Sequence, residues 1–585
     1  MKRAAGVAAA LLFAAPLFLG ARQAHSDAPP FSALATQFVR ESERRDPLFA
    51  DAIGIHAFDD SLDDYSAVGH ARRIAWLRSW RARIADASAG TLSPGDLADA
   101  HELLDTIDPE LFEDGTLAPA HTDPTLYANA IGNAVYSLTG RAYAPLAQRF
   151  GHVVHRVALV PGVVRAAEAM LTRPTRVATL QAIDSNAGSF ELYRGLSGLA
   201  RDPAVTPAQR AALRAELPAT LAALDGFSRY LKATLLPRST ASPRVGAAVF
   251  DRELLLADGT TATRAQLVTD ARTAFAHDRA QMLALALPFD RTFFPGRIAD
   301  ETKSNATDVV VRRVLDRLAE DHPARDAIFA TAKGDVEAAE AFLTAHPVVV
   351  LPQPPSLRVV PTPDFMAGFS GASLDPAGPF TPLAGSYYYI DRIPATWPAA
   401  RVRSYLRDFN RYELRMLSIH EAVPGHYVQF RYNAQVPSLV RRVFANGSFV
   451  EGWAVYTEGM MLDAGFGGGD PRQRLFQLKW RLREETNTLI DAAFHTGSLT
   501  EAQCDDLLER EAYQERSEAQ TKWHRLQLSH DQLTSYFVGL DAIRHAEAAE
   551  RRRLRTAFTV AGFNAALLRM GSVEPRDVET LMSQP

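Results

Sequence analysis

The chain is predicted to be mainly α: a large helical body interrupted by a short β/loop insert just before the helix that carries its most distinctive motif. Three observations predict this. Apolar residues recur at helical spacing through most of the chain; one stretch, 347–365, is dense in proline and valine; and the helical spacing resumes after Pro398 and runs into "HEAVPGH", residues 420–426. The 585 residues, 47% hydrophobic and 22% charged, suffice for a large body with its own core. The single cysteine, Cys504, allows no internal disulfide, so that core must hold the fold. Cys504 lies in the helical-looking "EAQCDDLLERE" and reads as a small buried hydrophobe.

Taken in order, residues 1–26 stand apart. Lys2 and Arg3 precede the uncharged "AAGVAAALLFAAPLFLGA", and Ala24-His25-Ser26 gives a small-x-small end, the pattern of a secretory signal peptide. Cleavage is expected after Ser26, with Ala21 as the alternative. A retained membrane anchor is the rival reading; Pro16 and a length near the short limit for spanning argue against it. No cysteine follows, which argues against a lipid-anchored form. The protein is therefore expected to be exported, periplasmic or extracellular, with no stable membrane insertion after cleavage.

Residues 27–345 form the helical N-terminal region. In 68–86, Ile74, Leu77, Trp80 and Ile84 fall on one face with arginines opposite. In 206–232, Thr206 caps and Pro207 suits the first turn of an Ala/Leu/Arg helix; 262–285 and 306–345 read the same way. Residues 346–400 form the insert. Its prolines exclude helix, and "GSYYYIDRIP" (385–394) suggests extended segments, with Tyr387–Tyr389 either an edge strand able to pair with a peptide backbone or aromatic packing of the insert on the helices. From 401 to 585 the helical period returns through Val402, Tyr405, Phe409, Tyr412, Met416 and Ile419. The span 27–585 reads as one catalytic unit.

The net charge of −5, lowered by three more once the first 26 residues are removed, gives no basic surplus for nucleic acid. No Gly-x-Ser-x-Gly elbow, phosphate-cradling glycine loop or Cys-x-x-Cys pair is present, which weakens serine-hydrolase, nucleotide-dependent and redox readings.

Zinc peptidases space the two histidines of His-Glu-x-x-His by four, about 40° apart on a helix; here His420 and His426 are six apart, about 240°. A straight helix cannot bring both to one ion. Pro424, however, has no N–H for the carbonyl of His420 and collides with it, and Gly425 accepts unusual backbone angles. An outward bulge of about two residues would return His426 to the place of an i+4 histidine. Glu421 then stands where a zinc hydrolase keeps its general base. Catalytic zinc needs a third protein ligand. In "SFVEGWAVYTEGMMLDAG" (448–465), Glu451 and Glu458 lie about 20° apart on one helix face; Glu451 could be that ligand and Glu458 could hold a ligand histidine. By spacing alone, a metal site and a solvated helix face are equally open.

"HEAVPGHYVQ" (420–429) followed by "FVEGWAVYTE" (449–458) closely resembles the paired signature of the domain-of-unknown-function 885 family, whose members are similar to helical zinc peptidases of the gluzincin type. "DPLFADAIGIHAFDDSLDDYS" (46–66) and "LIDAAFHTGSLT" (489–500) resemble the family's opening and later segments. The resemblance implies a gluzincin-peptidase-like fold, zinc bound by His420, His426 and Glu451, and Glu421 as general base. It also implies polar site residues at His495 and Tyr536, able to hydrogen-bond an oxyanion. Many relatives carry a Pro-Gly-Gln-like stretch before that tyrosine; "SHDQLTSY" (529–536) departs from it, in the wall of the site that bears on substrate choice.

The sequence thus predicts an exported zinc metallopeptidase acting on a peptide or small amide substrate, short peptides by analogy. The rivals are a zinc hydrolase of non-peptide amides or esters, and a non-catalytic periplasmic binding protein with a vestigial site. Retention of Glu421 argues against the latter.

Overall fold

Small polar residues placed just before prolines or Ala/Leu/Arg runs start most of the helices. A computed structural model describes residues 30–296, 306–368, 370–530 and 532–583; the signal-peptide assignment to residues 1–26 lies outside them. Helices α1 (Phe31–Arg45), α2 (Ala67–Ser88) and α3 (Pro94–Thr116) pack through Phe38, Trp80, Ile84, Leu103 and Ile107. The four stripe residues of α2, Ile74, Leu77, Trp80 and Ile84, are all buried. Then α4 (Pro124–Thr139), α5 (Leu146–Met170), α6 (Arg176–Leu199) and α7 (Pro207–Tyr230) build a second core on Tyr127, Phe150, Val157, Tyr193, Leu224 and Phe227. Thr206 caps α7 in a reciprocal box with Gln209, satisfying two backbone donors that the helix itself cannot. Helices α8 (Ala247–Leu256) and α9 (Arg264–Phe293) follow.

The stretch read as one helix over 306–345 is two, α10 (Ala306–Ala319) and α11 (Ile328–Ala345). Pro323 lies between them; it has no N–H to donate and biases His322 away from helical angles. Helix α11 packs its Ile328, Val336 and Leu343 into the same core as Leu414, Ile419, Trp453 and Leu540 of the C-terminal region.

The insert holds a three-stranded sheet: β1 (Leu357–Pro361), β2 (Ala372–Asp375) and β3 (Ser386–Ile390), ordered β1-β3-β2. β3 runs parallel to β1 and antiparallel to β2, with Leu374 opposite Tyr388. Tyr387–Tyr389 is therefore the middle of the sheet, not an edge. The five residues of β3 are all buried, as expected of a strand with both faces covered. The Tyr387 hydroxyl donates to the Gly140 carbonyl (2.6 Å) and the Arg141 guanidinium to the carbonyls of Asp375 and Gly385 (3.0 Å each), docking the sheet on the N-terminal helices.

The helices of the C-terminal region that bear on the site are α12 (Arg411–Glu421), α13 (His426–Asn433), α14 (Gly447–Asp463), α15 (Pro471–Thr496), α16 (Arg516–Leu526) and α17 (Ser535–Leu554). Cys504 is buried, as its helical context predicts. No helix among the described residues is long and apolar enough to cross a membrane.

Helices α14 and α17 touch backbone to backbone at Gly452 and Gly539. A Cβ on Gly539 would lie 1.7 Å from the Ser448 carbonyl oxygen, and one on Gly452 would lie 2.2 Å from the Gly539 carbonyl carbon. Neither neighbour is a flexible side-chain end, so an added methyl must push the helices apart. Gly539→Ala is expected to cost about 1–3 kcal/mol, read as a lower denaturation midpoint; an unchanged midpoint would show that the crossing tolerates separation.

Candidate metal centre

The site begins with a broken helix. Asn410 caps α12, its side chain accepting from the N–H groups of Tyr412 (3.0 Å) and Glu413 (3.1 Å). The helix stops at Glu421; Ala422 leaves helical geometry (φ −115°, ψ −87°) and α13 starts at His426. The break is thus a stop and restart between two helices, rather than a bulge inside one. Pro424 brings no N–H, and the Gly425 N–H turns back to the Ile419 carbonyl at 2.9 Å. Gly425 is needed for room rather than for a left-handed angle: its φ is −69°, but a Cβ there would lie 1.8 Å from the His420 carbonyl oxygen. The Trp453 indole N–H donates to the buried Pro424 carbonyl at 3.0 Å, so that group too is satisfied.

The consequence is convergence. His420 Nε2 lies 3.5 Å and His426 Nε2 3.4 Å from Glu451 Oε2. The two imidazoles stand at 86° to each other, with ring centroids 4.8 Å apart. Glu458, fully buried one turn pair further along α14, takes the Nδ1–H of His420 at 2.9 Å. With Nδ1–H given to Glu458, Nε2 is the nitrogen left to take a metal. Burial opposes it, but the two imidazoles hold Glu451 well below the usual carboxylate range. Burial likewise opposes charge on His420, yet Glu451, Glu458 and Glu421 push it up. Burial pushes Glu421 up, against the pull of His426 and His420; Leu374 of strand β2 lines the cavity beside it.

Residues of this set fit a zinc ion. One ligand atom each from His420, His426 and Glu451 lies within 4.8 Å of the others. Ligand atoms about 2.0–2.1 Å from a tetrahedral zinc are about 3.3–3.4 Å apart, close to the two nitrogen–oxygen separations here. Those separations are long for hydrogen bonds, and Glu451 Oε2 is buried without a hydrogen-bond partner. Two neutral-capable imidazoles and one carboxylate are the donor set of a catalytic rather than a closed structural site.

The triad opens onto a cavity of about 490 Å³. His420, Glu421, His426, Glu451 and Tyr536 all line it, so five of the residues expected from sequence meet there. The Tyr536 ring lies 6.3 Å from that of His420, and its hydroxyl accepts from Arg525 at 3.1 Å. Edge strand β2 borders the same space at Ala372, Ser373 and Leu374. His495 does not reach it. It is stacked on Phe250 at 5.6 Å, outside the cavity lining, and burial pushes it down to about 3, so it stays neutral. A histidine on the continuous helix α15 cannot leave that helix's inner face, which here turns to α8.

Helix α16 supplies residues that sequence reading passed over. Glu518, Lys522 and Arg525 line the cavity; burial pushes Lys522 down to about 8, against Glu518 at 3.4 Å. Their i, i+4, i+7 spacing was the available signal, but a charged stripe of this kind also describes a solvated face.

Glu458 anchors His420 and touches no solvent, so its removal should loosen the ligand. Glu458→Ala is expected to weaken zinc binding about 10–100-fold, measured by competition with a chromogenic chelator, with Glu458→Gln intermediate. Equal affinities across the three proteins would remove Glu458 from the site.

The family model described as "Bacterial protein of unknown function (DUF885)" matches residues 47–582. No curated protein matches. A solved structure described as a "putative lipoprotein of unknown function" from Shewanella oneidensis is 26% identical, with a TM-score of 0.76 over 95% of this chain and 100% of that one. A second, described as a "putative lipoprotein" from Colwellia psychrerythraea, shares the fold at 16% identity, with a TM-score of 0.74 over 94% of this chain and 98% of that one. With nine-tenths of its length matched, the chain belongs to the DUF885 family of bacterial proteins of unknown function.

Proposed function

We propose that this chain is an exported, zinc-dependent metallopeptidase of gluzincin type that hydrolyses short peptides. The observation that carries the reading is the convergence of two imidazole nitrogens and a buried carboxylate oxygen without a hydrogen-bond partner, beside Glu421 in one cavity. Zinc bound there would supply a Lewis acid for the scissile carbonyl and make water acidic enough to react near neutral pH.

The protein's own groups supply the rest. Glu421, which lines the cavity beside the two imidazoles, takes a proton from the attacking water and delivers it to the leaving nitrogen as the carbon–nitrogen bond breaks. Burial keeps its carboxyl above the ordinary range, which suits a group that must both accept and release a proton. Arg525 donates to the Tyr536 oxygen, so the phenolic O–H is free to point at the oxygen where charge develops. A cavity of about 490 Å³ is of small-ligand size, which favours short peptides over folded proteins. An extended substrate lying along β2 meets a strand edge, which favours a peptide over a non-peptide amide or ester. Export is supported by the signal-like N-terminus and by the lipoprotein descriptions of the two similar structures.

A panel of short peptides, simple amides and esters, assayed with the zinc-loaded chain, tests the substrate class. Peptide cleavage is expected; turnover of esters or metabolite amides alone would move the assignment to a non-peptide hydrolase. Glu421→Gln is expected to keep its zinc and lose about 100-fold to 10,000-fold in kcat; undiminished hydrolysis would end its role as base. Tyr536→Phe is expected to lose about 100-fold to 1,000-fold in kcat with little change in KM, whereas a change in KM alone would make the tyrosine a binding residue.

A further inference from the structure

Three side chains from distant parts of the chain meet outside the cavity just described. Glu113 comes from the last turns of α3, Glu253 from α8 and His530 from the loop between α16 and α17. One ligand atom from each lies within 4.8 Å of the others. Glu253 is fully buried, and neither of its carboxylate oxygens has a hydrogen-bond partner. The His530 Nδ1 is also buried and unpartnered. None of the three lines the cavity of the His420 centre.

We infer that Glu113, Glu253 and His530 form a second divalent-cation site, separate from the His420–His426–Glu451 centre. An unpaired carboxylate buried beside another carboxylate is costly, and a bound cation removes that cost. The ion-free alternative is a proton taken up by a carboxyl group, but neither Glu253 oxygen has a hydrogen-bond partner. The donors favour the ion: protonating a carboxyl leaves the His530 nitrogen without a partner, whereas a metal uses it. Two carboxylates and one imidazole suit zinc or manganese; calcium requires six or more oxygens. Glu113 and His530 are half-buried, which leaves a way in.

The position gives such an ion a purpose. His530 is six residues before Tyr536, in the stretch that departs from the Pro-Gly-Gln-like pattern of relatives. An ion there ties that loop to α3 and α8, and so fixes the approach of α17 to the cavity. The ring of His495 stands edge-on to that of His530 at 6.5 Å, as part of the wall of this second site rather than of the first.

The test is metal counting on the purified full chain, stripped with a chelator, reloaded with Zn²⁺ alone, desalted and measured by mass spectrometry. Wild type is expected to hold two ions. Glu253→Gln and His530→Ala are each expected to hold one, as is the His420→Ala/His426→Ala double variant. His530→Ala alters a half-buried loop residue, so it reports even if Glu253→Gln fails to fold. The inference is overturned if wild type, Glu253→Gln and His530→Ala hold equal amounts. A single ion in wild type that survives in the His420→Ala/His426→Ala variant would uphold this site and remove the other.

Discussion

One close contact governs the candidate centre: the backbone of Gly425 lies against the carbonyl oxygen of His420, where no side chain fits. That contact lets the chain stop one helix and start another within four residues. It turns His426 through the angle that six residues of regular helix would otherwise spoil. The groups freed by the break are satisfied internally, through the Gly425 N–H on Ile419 and the Trp453 indole on Pro424. The break is therefore a built feature with its own hydrogen bonds, which is why it can hold a histidine in a fixed direction.

Around it, helix α14 acts as the second half of a clamp. Glu451 faces both imidazoles, and Glu458, two turns on, grips the far side of His420. The glycine crossing at Gly452 and Gly539 brings α17 close enough for Tyr536 to stand over His420. A local backbone device, a ligand helix and a close helix crossing thus act together, and each depends on a glycine where a side chain would intrude.

Much of this was legible in the sequence, for a physical reason. Helical period and caps are local, so the stripe of α2 and the capping box at Thr206 could be read directly. Ligand chemistry is carried by residue type, so His420, His426, Glu421, Glu451 and Glu458 could be named before their geometry was known, whereas Tyr536 was named only through the family resemblance. What could not be read was non-local. Strand order is decided by pairing across thirty residues, and it puts Tyr387–Tyr389 in the middle of the sheet and β2 beside the cavity. The faces of α15 and α16 are decided by what packs on them. His495 therefore turned away from the cavity, while Glu518, Lys522 and Arg525, indistinguishable in sequence from a solvated stripe, turned into it. The form of the break at 422–425 was equally closed to sequence, since proline and glycine permit either a bulge or a stop.

The central claim is that a zinc ion sits where His420, His426 and Glu451 converge. Anomalous diffraction from crystals grown with zinc, recorded on both sides of the zinc absorption edge, tests it most directly. The account predicts a peak that appears above the edge, bounded by the two Nε2 atoms and a Glu451 oxygen. Crystals that diffract well, with ordered density for all three side chains and no such peak between them, would contradict it.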